Sequence, residues 1–310
     1  MSPKPTAAVL AVLGALLAVP VQAAVSRTYV ASTGDNANTA YSCDFAHPCR
    51  TFQVAFSQTT TGGEILAVDG SGYGTLVIDR SVSVIANPGV FAGIGVFSGN
   101  GVTIATAGVN VTLRGLTING QGGAAGIAMS NGARLSIENC VIANFSGSSY
   151  GVQVTTPATV RIVDSIVRDN YYGVVVQNGA TTDISGSKFL GNAYAIYTWG
   201  ATAGTTTTAV SDSIVTGSSV VGILANASSA GAVARVQVIR ATAANGTDGV
   251  TASASAGTAS ATLSDSMVTG NSNRGLYQTG AGATLSSLGN NTVADNASNT
   301  AGTISGLPLQ

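Results

Sequence analysis

Short apolar alternations recur along this chain, each opened by a small residue. They read Gly126-Ile127-Ala128-Met129, Gly151-Val152-Gln153-Val154, Gly173-Val174-Val175-Val176, Ala195-Ile196-Tyr197, Gly222-Ile223-Leu224, Gly249-Val250-Thr251 and Gly275-Leu276-Tyr277. Successive starts lie 25, 22, 22, 27, 27 and 26 residues apart. Period-two alternation marks strands with one buried face, so Ile127, Val152, Val174, Ile196, Ile223, Val250 and Leu276 are predicted to share an interior face. A second register keeps step: "IENCVIAN", "IVDSIVRDN", "ISGSKFLGN", "VSDSIVTGS", "LSDSMVTGN" and "LGNNTVADN" place a turn residue at Asn139, Asp164, Gly186, Asp212, Asp265 and Asn290. A degenerate copy, "VIRATAANG", fills the gap before Asp265. Two registers on one period of roughly 25 residues fit a coil of three short strands and three turns, stacked coil on coil at about 4.8 Å. The leucine pattern of a leucine-rich repeat is missing, and a flat sandwich would not keep such registers.

With these strands ("GIAMS", "GVQVT", "GVVVQ") and their "DSIV" and "NCVI" companions, the chain resembles the right-handed parallel β-helix proteins of the pectin-lyase-like superfamily. The resemblance covers roughly residues 64 to 305. It implies an all-β, single-stranded right-handed parallel β-helix of about nine coils, the first two irregular. The later segments "ATAGTTTTAV" and "TASASAGTASATL" predict a narrower core filled by Ala and Thr.

Composition agrees with strands and tight turns. Of 310 residues, 45% are hydrophobic, 40 are Gly and only 8% are charged, against about 25% in ordinary domains. A net charge of −1 provides no electrostatic footprint for nucleic acid. Residues 1–23, with Lys4, the run "TAAVLAVLGALLAVP" and Val21-Gln22-Ala23, read as a signal peptide. The mature chain is therefore expected outside the cytoplasm, periplasmic or extracellular, with no membrane-spanning segment.

Export decides how the cysteines are read: Cys43 and Cys49 are expected to pair as a disulfide. The rival is a metal site using Cys43, His47 and Cys49, with Asp44 as a further candidate ligand. Structural zinc generally wants four ligands and exported thiols tend to oxidise, so no metal and no cofactor is assigned. An open solenoid end needs a cap. Residues 24–63 are assigned to it, with a short helix in "CRTFQVAFSQTTTGG" that buries Phe52, Ala55 and Phe56 and ends at Gly62 and Gly63. Residues 64–305 form the β-helix and 306–310 a C-terminal tail. "DGSGYG" (Asp69 to Gly74) lacks the Lys-Ser/Thr of a phosphate loop and reads as a tight turn. No membrane-anchoring barrel is expected after the repeats.

The resemblance implies enzymes that cleave acidic polysaccharides with clustered carboxylates, a calcium or a basic residue. Arg161-Ile162-Val163 only half-matches the hydrolase pattern, the lyase arginines are missing and His47 lies outside the repeats, so no catalytic residue is transferred. An enzymatic alternative, a divergent lyase or hydrolase, would draw on Asp164, Asp169 and Asp183 with Arg161 or Arg168. Arg161 with Asp183, and Arg114 with Glu138, read as solvated cross-strand pairs. Cys140 aligns with Ser165, Ser187, Ser213 and Ser266 and reads as a buried structural thiol.

One feature rises above this background. Tyr150, Tyr172 and Tyr194 stand 22 residues apart, immediately before the inward strand. Asp248 and Arg274 occupy the same place in later coils, which predicts a solvent-facing corner. Tyr171, Tyr197 and Trp199 fall beside the column. Such aromatics form either a stacking ladder that stiffens the helix edge or a surface for glycan or protein. These six residues are the candidate ligand-binding set of a non-catalytic, carbohydrate-binding or adhesin-like module, whose partner would be a polysaccharide or cell-surface glycan.

Overall fold

The computed structural model describes residues 24–307, so the predicted signal peptide and the last three residues lie outside the described residues. Strands one period apart in sequence are parallel, in-register neighbours in space. Ile127, Val152, Val174, Ile196, Ile223, Val250 and Leu276 pair in succession, and each is at most 1% exposed. The small residue that opens each strand has a steric cause. A Cβ at Gly126, Gly151 or Gly173 would stand 2.4–2.6 Å from the carbonyl oxygen of the next coil. Among the described residues the strands form three parallel sheets, of twelve, ten and ten strands. They enclose one apolar interior over about nine turns, an all-β parallel solenoid.

The corners are set by the residues between the sheets. Asn139, Asp164, Gly186, Asp212, Arg240 and Asp265 adopt positive φ between 48° and 59°, the left-handed conformation that reverses the chain in one residue. The predicted turn residue Asn290 does not. Its side chain instead clasps Asp265, with Nδ2 donating to Oδ1 at 2.7 Å and its own Oδ1 accepting the Asp265 N–H at 3.1 Å. Behind this corner the predicted small-residue column is a hydroxyl ladder. Backbone N–H groups of Cys140, Ser165 and Ser187 donate to the hydroxyls of Ser165, Ser187 and Ser213, each at 3.2 Å. A second ladder, not singled out from the sequence, runs along another corner. Asn192 Oδ1 accepts the Asn170 N–H at 3.1 Å and its Nδ2–H at 3.0 Å, and Asn271 repeats this with Asn296. Both ladders satisfy backbone donors where the sheet pattern breaks off.

The interior tapers in side-chain size as predicted. Late coils bury Thr206, Thr208, Ala234, Ala259 and Ala261, with Thr198 and Thr208 hydroxyls joined at 2.6 Å. Strands of the twelve-stranded sheet lengthen there, from five residues at Asn110–Arg114 to eight at Gly204–Ser211 and Ala232–Ile239.

The N-terminal end is closed by β1 (Val25–Val30), the helix α1 (Phe52–Gln58) and β2 (Thr59–Ala67). Thr51 caps α1, and Phe52, Ala55 and Phe56 are buried against the first coil. The Cys43–Cys49 disulfide closes the preceding loop. Three boundaries differ from expectation. The helix stops at Gln58 because Thr59, Thr60 and Thr61 are β-branched and open β2, the Thr59 hydroxyl donating to the Ala55 carbonyl at 2.8 Å. β1, within the segment assigned to the cap, is itself the first strand of the twelve-stranded sheet and pairs with the otherwise bare edge of β2. The last strand, Ile304–Leu307, reaches into the segment assigned as tail. Within "DGSGYG", Ser71–Gly72 is a short strand and Tyr73 is fully buried, its hydroxyl donating to the Asp69 carboxylate at 2.5 Å.

Two stability predictions follow from this packing. Ile127→Ala is expected to cost about 2–5 kcal/mol in chemical denaturation, whereas Ile214→Ala, on a side chain 42% exposed, should change stability by less than about 0.5 kcal/mol. Asn192→Ala leaves two buried donors of Asn170 unpaired and should cost about 1–3 kcal/mol in the same measurement.

Candidate functional site

Parallel in-register strands set equivalent side chains about 4.8 Å apart, close to the stacking distance of aromatic rings. Tyr150 and Tyr172 accordingly stack with centroids 4.9 Å apart, and Tyr172 and Tyr194 at 5.2 Å. Tyr171 meets Tyr172 edge-on at 4.8 Å. Tyr197, on the outward side of the same strand, lies 5.9 Å from Tyr194 and stacks on Trp199 at 5.6 Å. The structure thus brings all six predicted aromatics into one cluster. It does not present them as one open platform, because the rings turn their faces to one another. Trp199 donates Nε1–H to Ser228 Oγ at 2.8 Å and, with Tyr150 and Tyr171, lies outside the concavity that Tyr172, Tyr194 and Tyr197 line.

That concavity begins where the stack ends. Following the column, Tyr194 is succeeded coil by coil by Val221, Asp248 and Arg274. Three residues further along each strand, Tyr197 is succeeded by Leu224, Thr251 and Tyr277. The smaller residues Val221, Leu224 and Thr251 form a floor between two taller walls, Tyr194 with Tyr197 and Arg274 with Tyr277. Three coil steps put those walls about 14 Å apart. The trough encloses about 360 Å³ and is open to solvent. Asn226 reaches it from the side and donates Nδ2–H to the Tyr197 hydroxyl at 2.8 Å.

The corner predicted to face solvent is closed at Asp248, which is 6% exposed. Arg274 covers it through two bonds, Nε to Oδ1 at 3.0 Å and Nη2 to Oδ2 at 2.6 Å, and Asn273 Nδ2 donates to Oδ1 at 3.0 Å. The guanidinium also lies 3.4 Å from the centre of the Tyr277 ring. The correction has a simple cause: an Asp directly beneath an Arg one coil away forms a pair that buries the shorter side chain. The Thr251 hydroxyl, on a residue only 4% exposed, has no hydrogen-bond partner. Burial pushes the Tyr197 phenol up to about 12, the Asn226 bond opposing it, and burial likewise raises Tyr172 and Tyr194.

The other predicted residues lie elsewhere. His47 Nδ1 is 3.1 Å from Asp44 Oδ1 and the ring stacks on Tyr41 in the disulfide-closed loop. Asp164, Asp169 and Asp183 sit respectively at one corner, at another and on the outward face of the twelve-stranded sheet. Asp169 pairs with Arg168 at 2.5 Å. Arg114 and Glu138 form the expected pair, at 2.7 Å. Arg161 and Asp183 are register neighbours, but no ion pair joins them among the described residues. No three His, Cys, Asp or Glu side chains group as metal ligands among the described residues. Cys140 is buried and unpaired, its thiol pushed up to about 11 by burial. Sequence reading missed Leu224, Asn226, Thr251 and Tyr277 as site residues. Their signal was a gap: the column Tyr197, Leu224, Thr251, Tyr277 goes from large to small to large.

A family model described as a right handed beta helix region matches residues 53–208. Among solved structures, an alginate lyase from Paenibacillus sp. str. FPU-7 superposes with a TM-score of 0.64 at 14% identity, covering 91% of this chain and 100% of the lyase. The pectate lyase Pel9A gives 0.59 at 12% identity, covering 91% and 80%. A tailspike protein from Escherichia coli O157:H7 bacteriophage CAB120 gives 0.51 at 11% identity, covering 83% of this chain and 39% of the tailspike. At such identities the likeness is one of fold. No curated protein sequence matches.

The buried phenol has a measurable consequence. Tyr197 keeps its proton in the folded state above its ordinary value of 10.0, so its contribution to stability is intact below about pH 10 and lost as pH rises through about 12. An ultraviolet titration is expected to show late-ionising phenols, the buried Tyr73 and Tyr197 among them. Tyr197→Phe should lower the amplitude of that phase without abolishing it, and an unchanged amplitude would put this ring in solvent.

Proposed function

Because this chain belongs to the right-handed β-helix family, we propose that it is an exported, non-catalytic module that binds carbohydrate in the trough between Tyr197 and Tyr277. The observation that carries this reading is the trough itself: aromatic walls about 14 Å apart over a floor of short side chains. The C–H face of a sugar ring packs on a phenol face, and its hydroxyls need donors and acceptors at the ring edge. Tyr194 and Tyr197 supply the first, and Asn226, Ser253 and Thr279 supply the second. A volume of about 360 Å³ falls within the about 300–1,000 Å³ of small-ligand sites.

Catalysis is disfavoured by how the charges are paired. The one carboxylate lining the trough, Asp248, is held by Arg274 and Asn273, which leaves neither partner free to exchange a proton with a substrate. The export reading rests on the Cys43–Cys49 disulfide, which persists in oxidising compartments, together with the apolar N-terminal run. No helix among the described residues is long and apolar enough to cross a membrane. The alternative, a lyase or hydrolase of acidic polysaccharide, is favoured by the names of the similar structures, two of which are lyases.

The test is binding on a glycan array followed by calorimetry. Tyr194→Ala and Tyr197→Ala are each expected to weaken binding by about tenfold or more while the strand signature in circular dichroism persists. Undiminished binding by both variants would remove the trough from the function. Incubation with polyuronates, with and without calcium, should release no unsaturated or reducing ends.

A further inference from the structure

Resting on the carbohydrate-binding reading, we infer that the trough takes an uncharged glycan and discriminates against polyuronates. Polyuronates carry a carboxylate on each ring, so a site for them needs cations that are free to meet those charges. The trough has one cation, Arg274, and its charge is already met by the bidentate Asp248. Diverting Arg274 to a ligand would leave Asp248, a carboxylate that is 6% exposed, with the neutral Asn273 amide as its remaining partner and its charge unmatched. A uronate in the trough would therefore lose water from its carboxylate without meeting an unmatched cation.

The cations without a carboxylate partner confirm the asymmetry by their positions. Among the described residues these are Arg50, in the loop before α1, Arg134, Arg161 and Arg235, in the twelve-stranded sheet, and Lys188, in the sheet of short strands. None belongs to the ten-stranded sheet whose outward face forms the trough floor. What that floor offers is neutral. Asn226 uses one N–H on Tyr197, and the hydroxyl-bearing Ser253 and Thr279 line the trough with it. Neutral donors and acceptors between aromatic walls fit a hexose or pentose chain whose polar groups are hydroxyls.

Calorimetry of the full chain with neutral oligosaccharides (glucan, mannan, xylan) and with oligogalacturonate and oligoalginate tests this. The neutral series should contain the binders, with affinity changing less than about twofold between low and high salt, since no net charge is matched. Ser253→Ala should weaken neutral binding several-fold without lowering the melting temperature, an outcome a merely structural hydroxyl would not give. Asp248→Asn should add salt-sensitive uronate binding by releasing the Arg274 charge. Tighter binding of uronates by the unaltered protein, weakening with salt, would overturn the inference and leave the carbohydrate-binding reading standing. Failure of Asp248→Asn to gain uronate affinity would overturn the charge argument, and absence of binding to both series would overturn inference and function together.

Discussion

In-register parallel pairing between successive coils is the constraint on which everything else in this molecule rests. Each residue meets its counterpart one period away at about 4.8 Å, so a column in the sequence becomes a ladder in space. Apolar columns become the interior, serines and asparagines become chains of hydrogen bonds to corner amides, and tyrosines become a stack. The same rule penalises like charges in adjacent coils. Asp164, Asp212 and Asp265 are accordingly separated by Gly186 and Arg240, and Arg240 joins Asp212 through two bonds of 2.7 and 2.9 Å.

A solenoid built this way has two weak points, its ends, where interior and strand edges lack a neighbour. At the N-terminal end the chain uses three devices together. β1 pairs the edge of β2, α1 lays Phe52 and Phe56 over the open interior, and the disulfide pins the loop between them. Tyr73, buried beneath Phe52 and hydrogen-bonded to Asp69, ties this lid to the first coil, since Asp69 also accepts the Ser32 N–H at 2.7 Å.

Variation along a column, rather than its regularity, creates the concave surface. Four successive outward positions run Tyr197, Leu224, Thr251 and Tyr277, and the depression lies over the two smaller ones. The strands beneath are joined in register by parallel pairing, so the relative positions of walls and floor are set by the backbone. The pairing of Asp248 with Arg274 then sets the electrostatic character of the trough as near neutral, although each side chain alone would charge it.

The repeat, the interior column, the left-handed corners at Asn139, Asp164, Gly186, Asp212 and Asp265, the disulfide and the tapering Ala and Thr core were legible in the sequence. The disulfide follows from the export signal and the short spacing of Cys43 and Cys49. The others depend on local backbone preference or on a period that recurs, and such features survive without knowledge of three-dimensional neighbours. The placement of the six aromatics in one cluster was legible for the same reason. Which of their faces remain open was not, since ring stacking is decided by side-chain torsions and by what occupies the next coil. The burial of Asp248, the partnerless hydroxyl of Thr251 and the wall formed by Tyr277 likewise emerge only when three coils are laid side by side. The period determined who the neighbours are, and tertiary packing alone decided which side chains cover one another and where a gap is left.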